Sequence, residues 1–184
     1  MAAPQRRWAA ELLHFWFHKL GPRVWFAADE RVDDLLRRRF RHELTRLAVR
    51  PAAEFLDEPL TALAAVLLFD QLPRNLYRND PRTYAFDPLA RAIAKGALDR
   101  GWERALSPAQ RQFLAMPLMH SEAIADQQRC LAYYNTLGTR FGRPFAISHH
   151  RMVARFGRFP HRNDVLGRTS TAAEKRAVAA GYHW

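Results

Sequence analysis

The chain of 184 residues has one cysteine, Cys130, which excludes an intrachain disulfide and every paired-cysteine zinc or dithiol motif. It has no long apolar run. The most hydrophobic stretch, Leu60 to Phe69, is about half the length of a membrane span. The N-terminal "MAAPQRRWAAELLHFWFHKL" carries Arg6 and Arg7, but Glu11, His14 and His18 interrupt the apolar core that a signal peptide needs. No segment alternates with period two and no Asn-Gly or Asp-Gly hairpin signal is present, so a sheet is not expected. These absences point to a helical protein of a reducing cytoplasm, with no membrane attachment.

Lysine is also scarce. Only Lys19, Lys95 and Lys175 stand among 29 basic residues, and the rest are arginine, whose planar fork matches carboxylate and phosphate oxygens. The formal net charge is +11. The excess is uneven: from Arg140 to Arg176 nine basic residues face only Asp164 and Glu174. A hydrophobic content of 48% with 26% charged residues is that of an ordinary globular chain, which excludes disorder throughout. The length fits a single helical domain spanning residues 1–184.

Helical periodicity organises the chain. Leu12, Leu13, Phe15, Trp16 and Leu20 share a face, and Gly21-Pro22 stops that helix. Asp29 caps a second, with Val32, Leu35, Leu36, Phe40, Leu44 and Leu47 as its apolar stripe and Arg37, Arg38, Arg39 and Arg41 largely outward. "DEPLTALAAVLLFDQL" is apolar on nearly all sides, which marks a central buried helix with Asp57 as its cap. Another helix is read over 81–98, ended by Gly101, and Ser107-Pro108 starts the next, which Pro117 is expected to kink or break before His120. Ser121 caps a helix to Leu137; a further one carries Phe145, Ile147, Met152, Val153 and Phe156; Ser170 with Glu174 caps the last. The expectation is an all-α fold of about seven or eight helices in antiparallel helical hairpins.

The motifs "LLFDQLPRNLYR", "AFDPLARAIAKGAL", "PLMHSEAIADQ" and "RFGRFPHRNDVLGRTSTAAE", with the aromatics Phe15 to Phe17 and Trp25-Phe26, resemble the bacterial domain-of-unknown-function family 924 over about residues 16–174. The resemblance implies a fold of the tetratricopeptide-like helical superfamily and brings no biochemical activity. The family shows a histidine about seven residues before the first phenylalanine of "FGRF"; His149 has that spacing, and His150 is adjacent to it.

Three polar motifs interrupt the apolar pattern. In "FDQLPRN", Asp70, Gln71, Arg74 and Asn75 lie where the most buried helix ends, and a carboxylate there needs a partner. An Asp70–Arg74 ion pair with Asn75 satisfying the helix exit competes with a ligand role. In "MHSEAIADQ", His120 reads as a general acid or base with Glu122 or Asp70 as its orienter, beside Ser121, Asp126 and Gln127. The alternative is a helix N-cap with an acidic first turn. The third, "RFGRFPHRNDVLGR", sets Arg155, Arg158, Arg162 and Arg168, with His161 and Asn163, in a bend defined by Gly157, Pro160 and Gly167.

Those arginines are positioned either to hold a phosphate or carboxylate or to neutralise Asp70, Glu122 and Asp126. Convergence of the three motifs would make a polar pocket for an anionic small molecule, with His120 or His161 as the proton-transfer group. The other readings are a tetratricopeptide-like groove for a protein partner and nonspecific nucleic-acid binding, which the core spacing of the aromatics disfavours. His120, Glu122, His149 and His161 have no metal-site spacing and Ser121 lacks a nucleophile elbow, so neither a metal nor another cofactor is expected.

Overall fold

The computed structural model describes residues 6–138 and 142–182, and every regular element among them is helical. The chain begins with α1, Arg7–His14, which continues as a π-helical turn, Phe15–Leu20, and stops at Gly21 with φ +71°. A strap leads to α2, Glu30–Leu47, whose first turn is held by Asp29 accepting from the Arg31 and Val32 amides. The central rod is continuous: α3, Pro59–Val66, a π turn, Leu67–Gln71, and α4, Leu72–Leu76. Ala62 to Phe69 are each 0% exposed, as their apolar character on all sides requires.

The second half runs through α5, Asp87–Asp99; α6, Pro108–Met119; α7, Ile124–Leu137; α8, Arg143–Phe156; and α9, Ala172–Ala179. α6 and α7 are antiparallel. The Tyr134 hydroxyl near the end of α7 reaches the Gln112 carbonyl near the start of α6 at 2.6 Å, while Gln127 at the start of α7 donates to the Leu118 and Met119 carbonyls at the end of α6. Gln127 thereby satisfies carbonyls that the end of α6 leaves open. α8 returns beside α7 and brings the His149 ring to 6.1 Å from that of His120.

The core is built in three parts along the chain. The largest packs α1, α2, the central rod, α5 and α6; a second joins α6, α7 and α8 through Leu118, Met119, Cys130, Tyr134 and Ala146; the third joins α8 to α9 through Met152, Val153, Phe159 and Ala177. Phe113 ties the N-terminal segment to α6, with the rings of Trp16, Phe17, Trp25 and Phe26 all within 5.8 Å of it.

Several local expectations are corrected. Pro117 neither breaks nor ends α6, which runs on to Met119; the proline removes one amide donor, and the bonds on either side of it carry the helix through. The span 81–98 divides into a 3-10 turn, Pro81–Tyr84, and α5, which restarts with Pro88 in its first turn. The central rod is preceded by Glu58, and Asp57 pairs instead with Arg6 at 2.9 Å. Thr171, not Ser170, forms the capping box with Glu174. α7 starts after Ala123, whose amide donates to Ser121 Oγ. Leu35 and Phe145 lie on exposed surface, outside the stripes that periodicity assigned them.

Candidate functional site

The π turn sets the floor of a polar cluster inside an apolar rod. It delivers Asp70, fully buried, between Phe69 and Gln71, and π turns of this kind recur at functional sites. The Asp70 carboxylate is well supplied with partners. One oxygen meets His120 Nδ1 at 2.7 Å and Arg74 Nη1 at 3.4 Å, and the other accepts from Gln71 Nε2 at 2.6 Å. Burial alone would raise its pKa; the charge of Arg74 and the hydrogen bonds from His120 and Gln71 outweigh burial and hold the carboxyl well below the usual range.

An ionised Asp70 is acceptor-only, so it fixes the proton of neutral His120 on Nδ1 and leaves Nε2 with a lone pair. His120 caps the end of α6 and keeps a small part of its side chain in contact with solvent. Burial first, then the charge of Arg74, push its pKa below the ordinary value against the pull of Asp70. The dyad is therefore a neutral imidazole oriented by a carboxylate.

Arg74 turns its other side to Asp87 at the start of α5, in a two-pronged pair at 2.9 and 3.1 Å. Arg162 reaches the same carboxylate from the 3-10 turn Pro160–Arg162, but only at 3.4 Å. Its guanidinium lies over the rings of Tyr84 at 4.4 Å and Phe159 at 4.6 Å, and the residue is 6% exposed. Its Nε meets no acceptor among the described residues. Burial, then the nearby charge of Arg74, lower the Arg162 pKa. His149, on α8, is buried with Nδ1 against the Phe145 carbonyl at 2.8 Å, and burial together with His120 and Arg162 brings its pKa down to about 3.

The remaining polar residues of the three motifs make other pairings, although the charge of Glu122 reaches Arg162 and that of His161 reaches His149. Glu122 does not contact His120; one oxygen accepts from the Phe159 amide at 2.9 Å and from Arg168 at 3.0 Å, which anchors the bend after α8. Arg158 makes a two-pronged pair with Glu174 at 2.7 and 3.0 Å. Asn163 donates to Ser170 Oγ at 3.0 Å, and Asn75 to Asp33 at 2.8 Å beside Arg78. Asp126 is neutralised by Lys95 and Arg91 and accepts from Ser121 at 2.8 Å. Arg155 is exposed over its neighbour Phe156. His161 is partly buried, its ring 5.7 Å from that of Phe159.

The structure thus gathers Asp70, Gln71, Arg74, His120 and Arg162 and adds Asp87, Tyr84 and His149. Asp87 and Tyr84 went unread because "FDP" resembles an ordinary helix start and a tyrosine in a turn carries no charge signal. Among the described residues, no group of three or more His, Cys, Asp or Glu side chains is arranged to hold a metal ion. No helix among them is long and apolar enough to cross a membrane.

Fold and site together define an all-helical protein with a carboxylate–imidazole dyad and two arginines sharing one aspartate. The chain belongs to the family described as "Bacterial protein of unknown function (DUF924)", whose model matches residues 12–181. It is similar in structure to a protein of unknown function, ATU0120, from Agrobacterium tumefaciens. That similarity has a TM-score of 0.89 at 40% sequence identity and covers 94% of this chain and 97% of that one. No curated protein matches the chain.

Proposed function

We propose that this cluster binds an anionic small molecule bearing a carboxylate or phosphate group, with the Asp70–His120 dyad as an acid–base group beside it. The observation that carries the reading is Arg162. A guanidinium this deeply buried ordinarily has its own bidentate carboxylate, whereas Arg162 shares Asp87 with Arg74, at the longer distance, and has an unmet Nε. An incoming anion would supply the missing acceptor. The two rings beside Arg162 fix its plane, so less side-chain freedom would be lost on binding.

His120 gives the site chemistry beyond binding. With Nδ1 committed to Asp70, Nε2 is the atom available to accept a proton from a bound molecule or a water and to return it. Glu122, Arg158 and Arg168, by contrast, support the bend that carries Arg162.

Calorimetric titration with inorganic phosphate and with citrate tests the reading. The parent protein is expected to bind one of them saturably, Arg162→Met to lose that binding while keeping its thermal midpoint within a few degrees, and Arg162→Lys to retain part of it. Arg7→Met, at a highly exposed position, controls for general basicity and should bind as the parent does. Equal loss in Arg7→Met, or no saturable binding by the parent, would overturn the assignment.

A further inference from the structure

Arg162 is held by one nitrogen and open along one side. Its Nη1 meets the Asp87 carboxylate at 3.4 Å, whereas neither Nε nor Nη2 meets an acceptor among the described residues. Nε and Nη2 form the side of a guanidinium that gives two parallel bonds to one planar acceptor. Aromatic rings wall that side. The central carbon of the guanidinium lies over the Tyr84 ring at 4.4 Å and over the Phe159 ring at 4.6 Å, close enough for each ring to cover the flat cation. Solvent reaches the cluster beside Arg74 and Asp87, whose side chains are less buried than that of Arg162.

Both walls are fixed. Phe159 is fully buried, with the His149 ring edge-on at 5.4 Å and the His161 ring at 5.7 Å. Tyr84 closes the 3-10 turn Pro81–Tyr84, in which Asp80 accepts from the Arg82 amide at 2.8 Å and the Thr83 hydroxyl donates to the Tyr77 carbonyl. Its ring also lies under Arg74, at 5.9 Å. From these juxtapositions we infer that the site selects a planar carboxylate and rejects a tetrahedral phosphate or sulfate. The inference rests on the anion-binding reading above and names the ligand class of that same site.

Shape decides first. A carboxylate lies in the guanidinium plane and lengthens the flat layer between the rings without thickening it. A phosphate or sulfate on the same two N–H groups carries further oxygens above and below that plane, where the rings stand. On an open surface an arginine accepts either group; between two fixed rings it accepts the flat one. Charge acts in the same direction. Arg74 attracts any anion, but the carboxylates of Asp87 and Glu122 also bear on Arg162 and oppose a second negative charge. A carboxylate brings one charge, and a phosphate monoester about 1.5 to 2 near neutral pH.

Acetate and methanesulfonate separate shape from charge, since each is a small monoanion with one methyl group and only the first is planar. Citrate serves as the reporter. Calorimetric titration of the full chain with citrate at pH 7.5, repeated with an equal, large excess of each competitor, should give an apparent affinity about tenfold lower in acetate and within about twofold of the uncompeted value in methanesulfonate. In proton–nitrogen NMR, acetate should shift one arginine Nε resonance, the one missing from Arg162→Met. Tyr84→Ala removes one wall, and in it methanesulfonate should compete about as well as acetate. The comparison in the parent decides the point even if Tyr84→Ala fails to fold. Equal competition by the two monoanions in the parent would overturn the inference and leave the anion site standing, as would saturable binding of inorganic phosphate that Arg162→Met abolishes. Exclusion of methanesulfonate that persists in folded Tyr84→Ala would take the selection away from the ring slot and overturn it too. Absence of saturable binding of citrate, acetate and phosphate by the parent would remove the site and the inference together.

Discussion

Asp70 has no contact with solvent and serves three partners, so its charge is the most consequential in the cluster. In Asp70→Asn the shape is kept while Arg74 and His120 lose their common counter-charge; a broken buried pair of this kind costs about 3–5 kcal/mol, readable by urea denaturation. The histidines set a pH dependence of known sign. Both have folded pKa values below the free value, His149 at about 3, so the stability they contribute is complete above about pH 6.5 and is lost as pH falls towards 3. Urea midpoints at pH 7.5, 6 and 5 should decline in that order, and more gently in His149→Gln; an unchanged slope in that variant would remove His149 as a cause. At this scale Asp70, His120 and Arg162 were legible, because a charge or imidazole within an apolar pattern demands a partner. Asp87 was not, since nothing local distinguishes a carboxylate that serves two distant arginines from one that starts a helix.

Among the elements, the capping box of α9 is the simplest to test. Thr171 Oγ1 accepts from the Glu174 amide at 3.2 Å and the Glu174 carboxylate accepts from the Thr171 amide at 2.8 Å. Thr171→Ala should cost about 1 kcal/mol in thermal or urea unfolding, whereas Thr169→Ala, three residues from Ala172 and exposed, should cost little. The positions of helices followed from apolar period and from proline and glycine; Asp29 caps α2 as expected, and Ser107-Pro108 starts α6 as expected. Other caps were misplaced by one or two residues for a physical reason. In "TST" neighbouring hydroxyls have equal capping chemistry and only the register of the following turn selects one, whereas in "DE" the better cap, Asp57, is drawn away to Arg6 and Glu58 makes no cap bond. The π turn was invisible because nothing in "LLFDQ" separates an i→i+5 from an i→i+4 bond.

For the molecule as a whole, the all-helical class was readable from periodicity, but the pairing of helices was not. A stripe of apolar residues says that a face is buried and leaves its partner open. Phe113 shows how far apart the partners lie: it is fully buried on α6 and receives four aromatic rings from residues 16–26. Phe113→Ala should destabilise the protein by about 3–5 kcal/mol and speed proteolytic cleavage of the strap between Gly21 and Asp29, a local opening that gel electrophoresis after brief trypsin digestion would register. The same remoteness bears on assembly. His120 meets Asp70 across 50 positions of chain, Arg168 meets Glu122 across 46, and Arg162 meets Asp87 across 75. Contacts of such span close late, after local helices have formed and paired. A chain leaving the ribosome therefore has the central rod, α5 and α6 well before Pro160–Arg162 is synthesised, and for that interval Arg74 alone stands between Asp87 and water. Of the segments that build the cluster, Pro160–Arg162 is the last to emerge.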